Sequence, residues 1–333
     1  MAGDTVLLGD LGGTNARFAV LSQGETRGET RGKIGHAATL SVADHASAAE
    51  AMAAYIAGLP PARRPHVAAL ACAGPVAEGA VTLTNSAWRL EAGEIARRFG
   101  FEQVRLINDF EALAWALPRL GPEDLRALGG GVPVPGAPAV VLGPGTGLGI
   151  ATYLPPPRGP AVIVGEGGHA TMAASDDREA AVLAALRTRF GHVSAERVLS
   201  GDGLVQLYET RAAIEKRAVP PRSAAEITET AIAGGDADCA AALELFCALL
   251  GGLAGDLALT LGARGGVYIA GGIAPRVAEV LAASAFRDRF EAKGRFRAYL
   301  APIPAWVVLH PAPAFLGLAA LCETDAGAPY TKR

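Results

Sequence analysis

VLLGDLGGTNARFAV, residues Val6–Val20, reads as an apolar strand, a polar turn rich in glycine, and a second strand. Gly12 and Gly13 suit that turn because glycine tolerates positive φ and close backbone approach. The same grammar returns in VVLGPGTGLGIA, residues Val140–Ala151, where Gly143, Gly145, Gly147 and Gly149 alternate after an apolar run. Two such hairpins in one chain suggest one unit used twice, each domain offering its turn to a shared ligand. A length of 333 residues agrees with two domains.

Composition narrows the partners. Half of the residues are hydrophobic, enough for a large core, and the formal net charge is −3 with no stretch that concentrates Lys and Arg. Nucleic acid and anionic membrane are therefore poor partners, and none is expected. No basic region followed by an apolar core opens the chain, so no signal peptide is expected. The most apolar long stretch, residues 239–262, is interrupted by Glu244, Asp256 and glycines and reads as a buried helix, not a membrane span. Cys72, Cys239, Cys247 and Cys322 form no CxxC pair and read as small apolar residues in a reducing, cytoplasmic compartment.

Strands are expected at Thr5–Asp10, Arg17–Leu21, within HVAALACAG, within GAVTLTNSAW and in QVRLIND, with helices near Ala46–Gly58, in EAGEIARRFG and in DFEALAWALP. Residues Gly129–Pro138 form a loop by composition. Helices then dominate: Asp176–Phe190, Ser200–Lys216, Ser223–Gly234 and Asp236–Leu261. GGVYIAGGIAPR returns to strand, glycine turn and helix start. AWVVLH is a last strand before a terminal helix at Ala314–Glu323. Alternating strands and helices define an α/β class. The tail DAGAPYTKR reads as disordered.

Several residues carry candidate chemistry. Glycine lets main-chain N–H groups reach an anion, so Gly12–Gly13–Thr14 and Gly145–Thr146–Gly147 suit phosphate. Neither is a Walker loop or opens a helix as a dinucleotide fingerprint does; each is also compatible with a plain tight hairpin. Asp10 beside such a turn requires a cation, and Mg²⁺ held through water fits; an Asx turn is the simpler alternative. Asn108 and Asp109 lie where a strand meets a helix, either as a cap or as an orienting amide and a general base. Glu166 and His169 stand in GEGGH, whose glycines disfavour a metal-binding helix; a carboxylate and an imidazole there suit a polyhydroxylated ligand, or merely a solvated loop. Glu196 opens a helical stretch and by spacing alone favours a helix-start role. Gly271–Gly272 offers a flat surface for an adenine, or an ordinary strand-to-helix turn.

In order along the chain, GDLGGTNARFAV, TNSAW, LINDFEALAWALP, GPGTGLGIA, GEGGHA, GHVSAERVLSGDGL, GGVYIAGGIAPR and KGRFRAYLAPIPAWVVLH resemble the bacterial ATP-dependent glucokinase family, within the hexokinase–actin–heat-shock chaperone superfamily. The resemblance covers nearly the whole chain. It implies a two-domain actin-like ATPase (ribonuclease H-like) fold with a deep interdomain cleft. The small α/β domain would be residues 1–112, completed by the C-terminal helix at about 312–324, and the large α/β domain 113–311. It further implies Asp109 as catalytic base; Asn85, Asn108, Glu166, His169 and Glu196 as sugar contacts; Gly9–Thr14 (Gly9, Asp10, Leu11, Gly12, Gly13, Thr14) and Gly145–Thr146–Gly147 for the phosphates; and Gly271–Gly272 for the adenosine. ATP and Mg²⁺ would be the cofactors, glucose 6-phosphate the product entering glycolysis, and a homodimer the expected assembly. HPAPAFLG, ahead of the last helix, is richer in proline than the family pattern, and Asp202 stands where relatives carry an uncharged residue.

Other readings fare worse. A sugar-sensing repressor of the related ROK group needs an N-terminal helix-turn-helix, and the first strand begins at residue 5; that group's zinc cysteines are also missing. A nicotinamide oxidoreductase needs glycines that open helices. A cytoskeletal or chaperone ATPase lacks the pairing of GEGGH with INDF. Another hexose, such as mannose, fructose or glucosamine, is the serious alternative to glucose.

Overall fold

The computed structural model describes residues 5–22, 32–156 and 159–324. The chain divides into two units, Met1–Leu120 with Pro311–Arg333, and Gly121–His310. An expected boundary after residue 112 would fall inside a helix that belongs wholly to the first unit.

The first unit is built on a five-stranded sheet. β1 (Thr5–Leu11), β2 (Asn15–Ser22) and β3 (Lys33–Ser41) form an antiparallel meander. After α1 (Ala48–Ala57), β4 (Val67–Cys72) lies parallel to β1 on its other side. A small ribbon of β5 (Ala80–Thr82) and β6 (Arg89–Glu91) leads into α2 (Ala92–Phe99), which Gly100 closes in the left-handed conformation at φ 68°. β7 (Gln103–Asn108) then adds in parallel beside β4, and α3 (Asp109–Ala116) follows without a break. β1 is thus central, paired on both edges, which explains the apolar Val6–Leu8 at its heart. Its odd positions, Leu7 and Leu11, join Phe18, Leu70, Cys72 and the α1 residues Ala51, Met52 and Tyr55 in one cluster. The opposite face carries buried Leu8, Ala69, Ala71 and Ile107. There α3 packs against β4 and β7, and the C-terminal helix Pro313–Thr324 packs against β1, β4 and α3. Proline at the first helical position starts that helix, so the proline-rich approach suits it.

The second unit repeats the plan. A six-stranded sheet has the order β11–β10–β9–β12–β13–β8. β8 (Leu125–Gly129) is one edge; β9 (Ala139–Pro144), β10 (Leu148–Leu154) and β11 (Ala161–Gly165) form the meander. The helices α4 (Asp177–Phe190), α5 (Gly201–Ile214), α6 (Ala224–Ile232) and α7 (Ala237–Leu261) follow. β12 (Val267–Ile269) then lies parallel to β9. Short helices α8 (Ala278–Ala283), α9 (Phe286–Glu291) and α10 (Arg297–Leu300) precede β13 (Ala305–Val308), which is parallel to β12 and antiparallel to β8. The central β9 is buried along its whole length. α7 is long and apolar enough to span a membrane, yet 72 % of its most apolar window is buried in the protein. Its Cys239, Leu243, Phe246, Cys247 and Leu250 are in the unit's core, each burial worth about 1–3 kcal/mol.

The expected helices α1 to α7 and the terminal helix are present within one to two residues. β3, β6, β8 and β11 were not expected. GAVTLTNSAW yields only the short β5, because the chain turns at Asn85, whose φ is 62°. The tail after Thr324 lies outside the described residues.

Candidate active site

In the first unit, three parallel strands point their carboxyl ends at one edge of the sheet. Register places Leu11 beside Cys72 and Cys72 beside Asn108, so Asp10, Asn108 and Asp109 share that edge. Ligands of α/β sheets bind at such edges. Two strand spacings separate β1 from β7, about 10 Å, close enough for the two carboxylates to act on one another.

Asp109 is half-buried at the first position of α3. Its Oδ1 accepts from the Phe110 N–H at 3.0 Å. Burial raises its pKa to about 6, with the Asp10 charge adding to the rise and hydrogen bonds from the helix start partly opposing it. Asp10 is also raised, chiefly by burial, and Arg17 opposes that rise. Arg17 faces Asp10 across the hairpin, and its Nη1 lies 3.0 Å from Asp10 Oδ2. Cys72, between the two strands, has its thiol pushed up by burial first and then by Asp109 and Asp10.

Asn108 is the cap of α3. Its Oδ1 accepts from the N–H groups of Phe110 (2.9 Å) and Glu111 (3.3 Å), and its Nδ2 donates to Gly74 O at 3.1 Å. Capping and ligand contact were alternatives in the sequence; the cap is realised, and these bonds use one of the two amide hydrogens.

The first glycine turn closes through the Gly12 N–H, which donates to Asn15 O at 3.0 Å. Gly13 rests on the Thr84–Asn85 turn: a Cβ there would sit 2.9 Å from Thr84 O. Thr14 is exposed, and its carbonyl accepts from the Val42 N–H at 2.9 Å. Gly9 and Leu11 differ from the rest of their stretch. Both are buried within β1, and a Cβ on Gly9 would press on Leu70.

In the second unit, the hairpin between β9 and β10 closes through the Gly145 N–H, which donates to Gly147 O at 2.8 Å. Gly145 O accepts from the Gly201 N–H at 2.8 Å, tying the turn to the start of α5. Gly271, at φ 84°, lies against the end of β9, where a Cβ would meet Pro144 O at 2.5 Å. Gly272 is exposed with open space above it. The second glycine turn and the Gly271–Gly272 turn are therefore neighbours.

Glu166, His169 and Glu196 also meet. His169 Nδ1 lies 3.9 Å from Glu196 Oε1, and its Nε2 lies 4.0 Å from Glu166 Oε2. Glu196 is not at a helix start; it stands in an irregular turn before α5. Its Oε2 accepts from the Leu148 N–H at 2.9 Å, and the neighbouring Arg197 stacks 4.2 Å from the Phe190 ring centroid. GEGGH forms a single 3-10 turn against β10; a Cβ on Gly168 would lie 2.1 Å from Leu148 O. Sequence reasoning missed Arg17 and the Leu148 N–H. Hairpin register would have found Arg17, whereas nothing local announces the contact of Glu196 with β10.

Solved structures carry the same architecture. A glucokinase from an Antarctic psychrotroph superposes with a TM-score of 0.87 over 97 % of this chain and 99 % of its own, at 37 % identity. A ROK family glucokinase from Streptomyces griseus, solved in complex with glucose and AMPPNP, gives 0.62 over 95 % and 98 % at 19 % identity, a likeness of fold. Fold and site together define a sugar kinase of the two-domain actin-like ATPase class. The Glucokinase family model matches residues 7–325, and the glucokinase of Paramagnetospirillum magneticum is 45 % identical over 317 residues, 95 % of this chain and 97 % of that protein. The chain belongs to the glucokinase family, enzymes that transfer a phosphoryl group from ATP to glucose.

Proposed function

We propose that this enzyme phosphorylates D-glucose at the 6-hydroxyl, giving glucose 6-phosphate and ADP, with Asp109 as the base. One observation carries the assignment: a half-buried carboxylate at the carboxyl edge of a parallel sheet, its pKa raised to about 6. That value suits proton acceptance near neutral pH better than the about 3.9 of a free aspartate. The proposed sugar contacts are the remaining amide hydrogen of Asn108 and Asn85 in the first unit, and Glu166, His169 and Glu196 in the second. Glu196 is held for this by its bond to the Leu148 N–H.

The turns' own hydrogen bonds occupy the Gly12 and Gly145 amides. Phosphate contact therefore falls to the amides of Gly13, Thr14, Thr146 and Gly147, and Gly272 offers the adenine an open face. These donors stabilise charge on a loose, metaphosphate-like phosphoryl group, so catalysis is mainly positioning and electrostatics. Asp109 takes the hydroxyl proton late, as the new bond forms.

Mg²⁺ fits the donor set. Among the described residues no group of three or more His, Cys, Asp or Glu gathers for a metal. Asp10 offers one carboxylate, as suits an ion that keeps waters and phosphate oxygens as its other ligands. When bound, the ion would neutralise phosphate charge. Four free cysteines suit a reducing cytoplasm, and a homodimer follows from the family resemblance.

The test is a coupled ADP-release assay across a hexose panel with a no-sugar control. Glucose should give the highest kcat/KM. Asp109→Ala should retain glucose binding while turnover falls about 10²–10⁴-fold. Near wild-type turnover in that variant would remove the base assignment.

A further inference from the structure

We propose that Gly317, in the C-terminal helix, is a positioning residue for the catalytic base: its missing side chain sets the depth at which α3 lies and so the place of Asp109 at the sheet edge. This rests on the reading of Asp109 as base. The geometry is unusual within the chain. A Cβ at Gly317 would sit 1.7 Å from Ala112 O and 3.0 Å from Ala116 N, the closest approach found at any described glycine. Both obstacles are backbone of α3, so no rotamer change relieves them.

α3 is gripped at three places. At its start, Asn108 caps it and bonds Gly74 O at 3.1 Å. Along its length, Ala112, wholly buried, lies against Gly317. Just past its end, Arg119 pairs with Glu323 of the same C-terminal helix through both guanidinium nitrogens. The helix that presents the base is thus fixed from the side by a segment some two hundred residues later in the chain, a separation of 204 for the ion pair. Alanine favours helix over glycine, so Gly317→Ala would stabilise an isolated helix. Here the added methyl must push the two helices apart by more than an ångström, and a misplacement of that size costs about 10²-fold in rate.

The experiment compares Gly317→Ala with wild type, with Asp109→Ala, and with Met52→Ala, a core truncation in α1 on the opposite face of the sheet. Melting temperatures are measured first, and kinetics are taken well below them. The expected result is a kcat lowered about 10- to 100-fold in Gly317→Ala, with KM for ATP within about twofold of wild type. Met52→Ala should lose thermal stability and keep kcat. If Gly317→Ala does not fold, Glu323→Gln supplies the milder displacement: kcat should fall several-fold, and the exchanged pair Arg119→Glu with Glu323→Arg should restore it. Full kcat in a folded Gly317→Ala, or in Glu323→Gln when the former cannot be purified, would overturn the proposal. So would a Met52→Ala variant that loses kcat in equal measure, since loosened packing alone would then explain the loss. An active Asp109→Ala would instead show that the base is misassigned, whatever Gly317 does.

Discussion

Asp109 combines two properties that oppose each other. A carboxylate that is desolvated and faces a second carboxylate is costly to ionise, and the same cost makes it a competent base. With its folded pKa raised to about 6, its contribution to stability is present below the unfolded value of about 4 and is lost as pH rises through about 6. Asp109→Asn keeps the oxygen that accepts from Phe110 and removes the charge. That variant should be more stable than wild type at pH 8 by on the order of 1–3 kcal/mol, while activity falls at least 10²-fold. Thermal melts at pH 8 and pH 4 decide it: the gap between the two proteins should close at the lower pH. In the wild type, kcat/KM for glucose should rise with pH through a midpoint near 6 and then level off. A profile flat from pH 5 to 8 would separate catalysis from this group.

Among the elements, the hairpins were the readable part, because strand, glycine turn and strand lie within fifteen residues. The meanders' outer strands were not. β3 and β11 are edge strands with mostly exposed residues, and β8 follows a proline-rich turn. β3 and β8 lack the apolar run that marks a central strand, and β11, AVIVG, is a short run directly after the proline-rich PPPRGP. Ser47, Asp176, Ser200, Ser223 and Asp236 cap their helices, each accepting an N–H two or three residues on, and the last four are the residues at which the helices were expected to open. The GEGGH turn shows how an element carries function through packing. Gly168→Ala would drive a methyl into Leu148 O, the residue whose N–H holds Glu196. We expect a loss of about 1–3 kcal/mol in urea unfolding together with a several-fold rise in KM for glucose. A stable variant with unchanged KM would mean that the turn has room to adjust.

At the scale of the whole molecule, the two units share one topological plan, a three-strand meander with parallel strands added beside the first. Ligand binding and folding are thermodynamically linked. Glucose at about a hundred times its Kd should stabilise the protein by about 2.7 kcal/mol, visible as a higher melting temperature. Asp109→Ala should keep most of that shift, whereas a variant lacking both Glu166 and Glu196 carboxylates should lose it. Equal stabilisation of the double variant would remove these two residues from the sugar site.

What the residues determined unaided was local: the two hairpins, the capped helices, and the pairing of Asn108 with Asp109 at a strand–helix junction. Short-range sterics and hydrophobic period suffice for these, since every partner lies within a few positions. The tertiary structure decided what depends on distant backbone. It held Asp10 near Asp109, tied Glu196 to the amide of Leu148, and laid Gly317 on Ala112. Electrostatic shifts and close helix contacts arise from separations in space, and a linear pattern does not carry those distances.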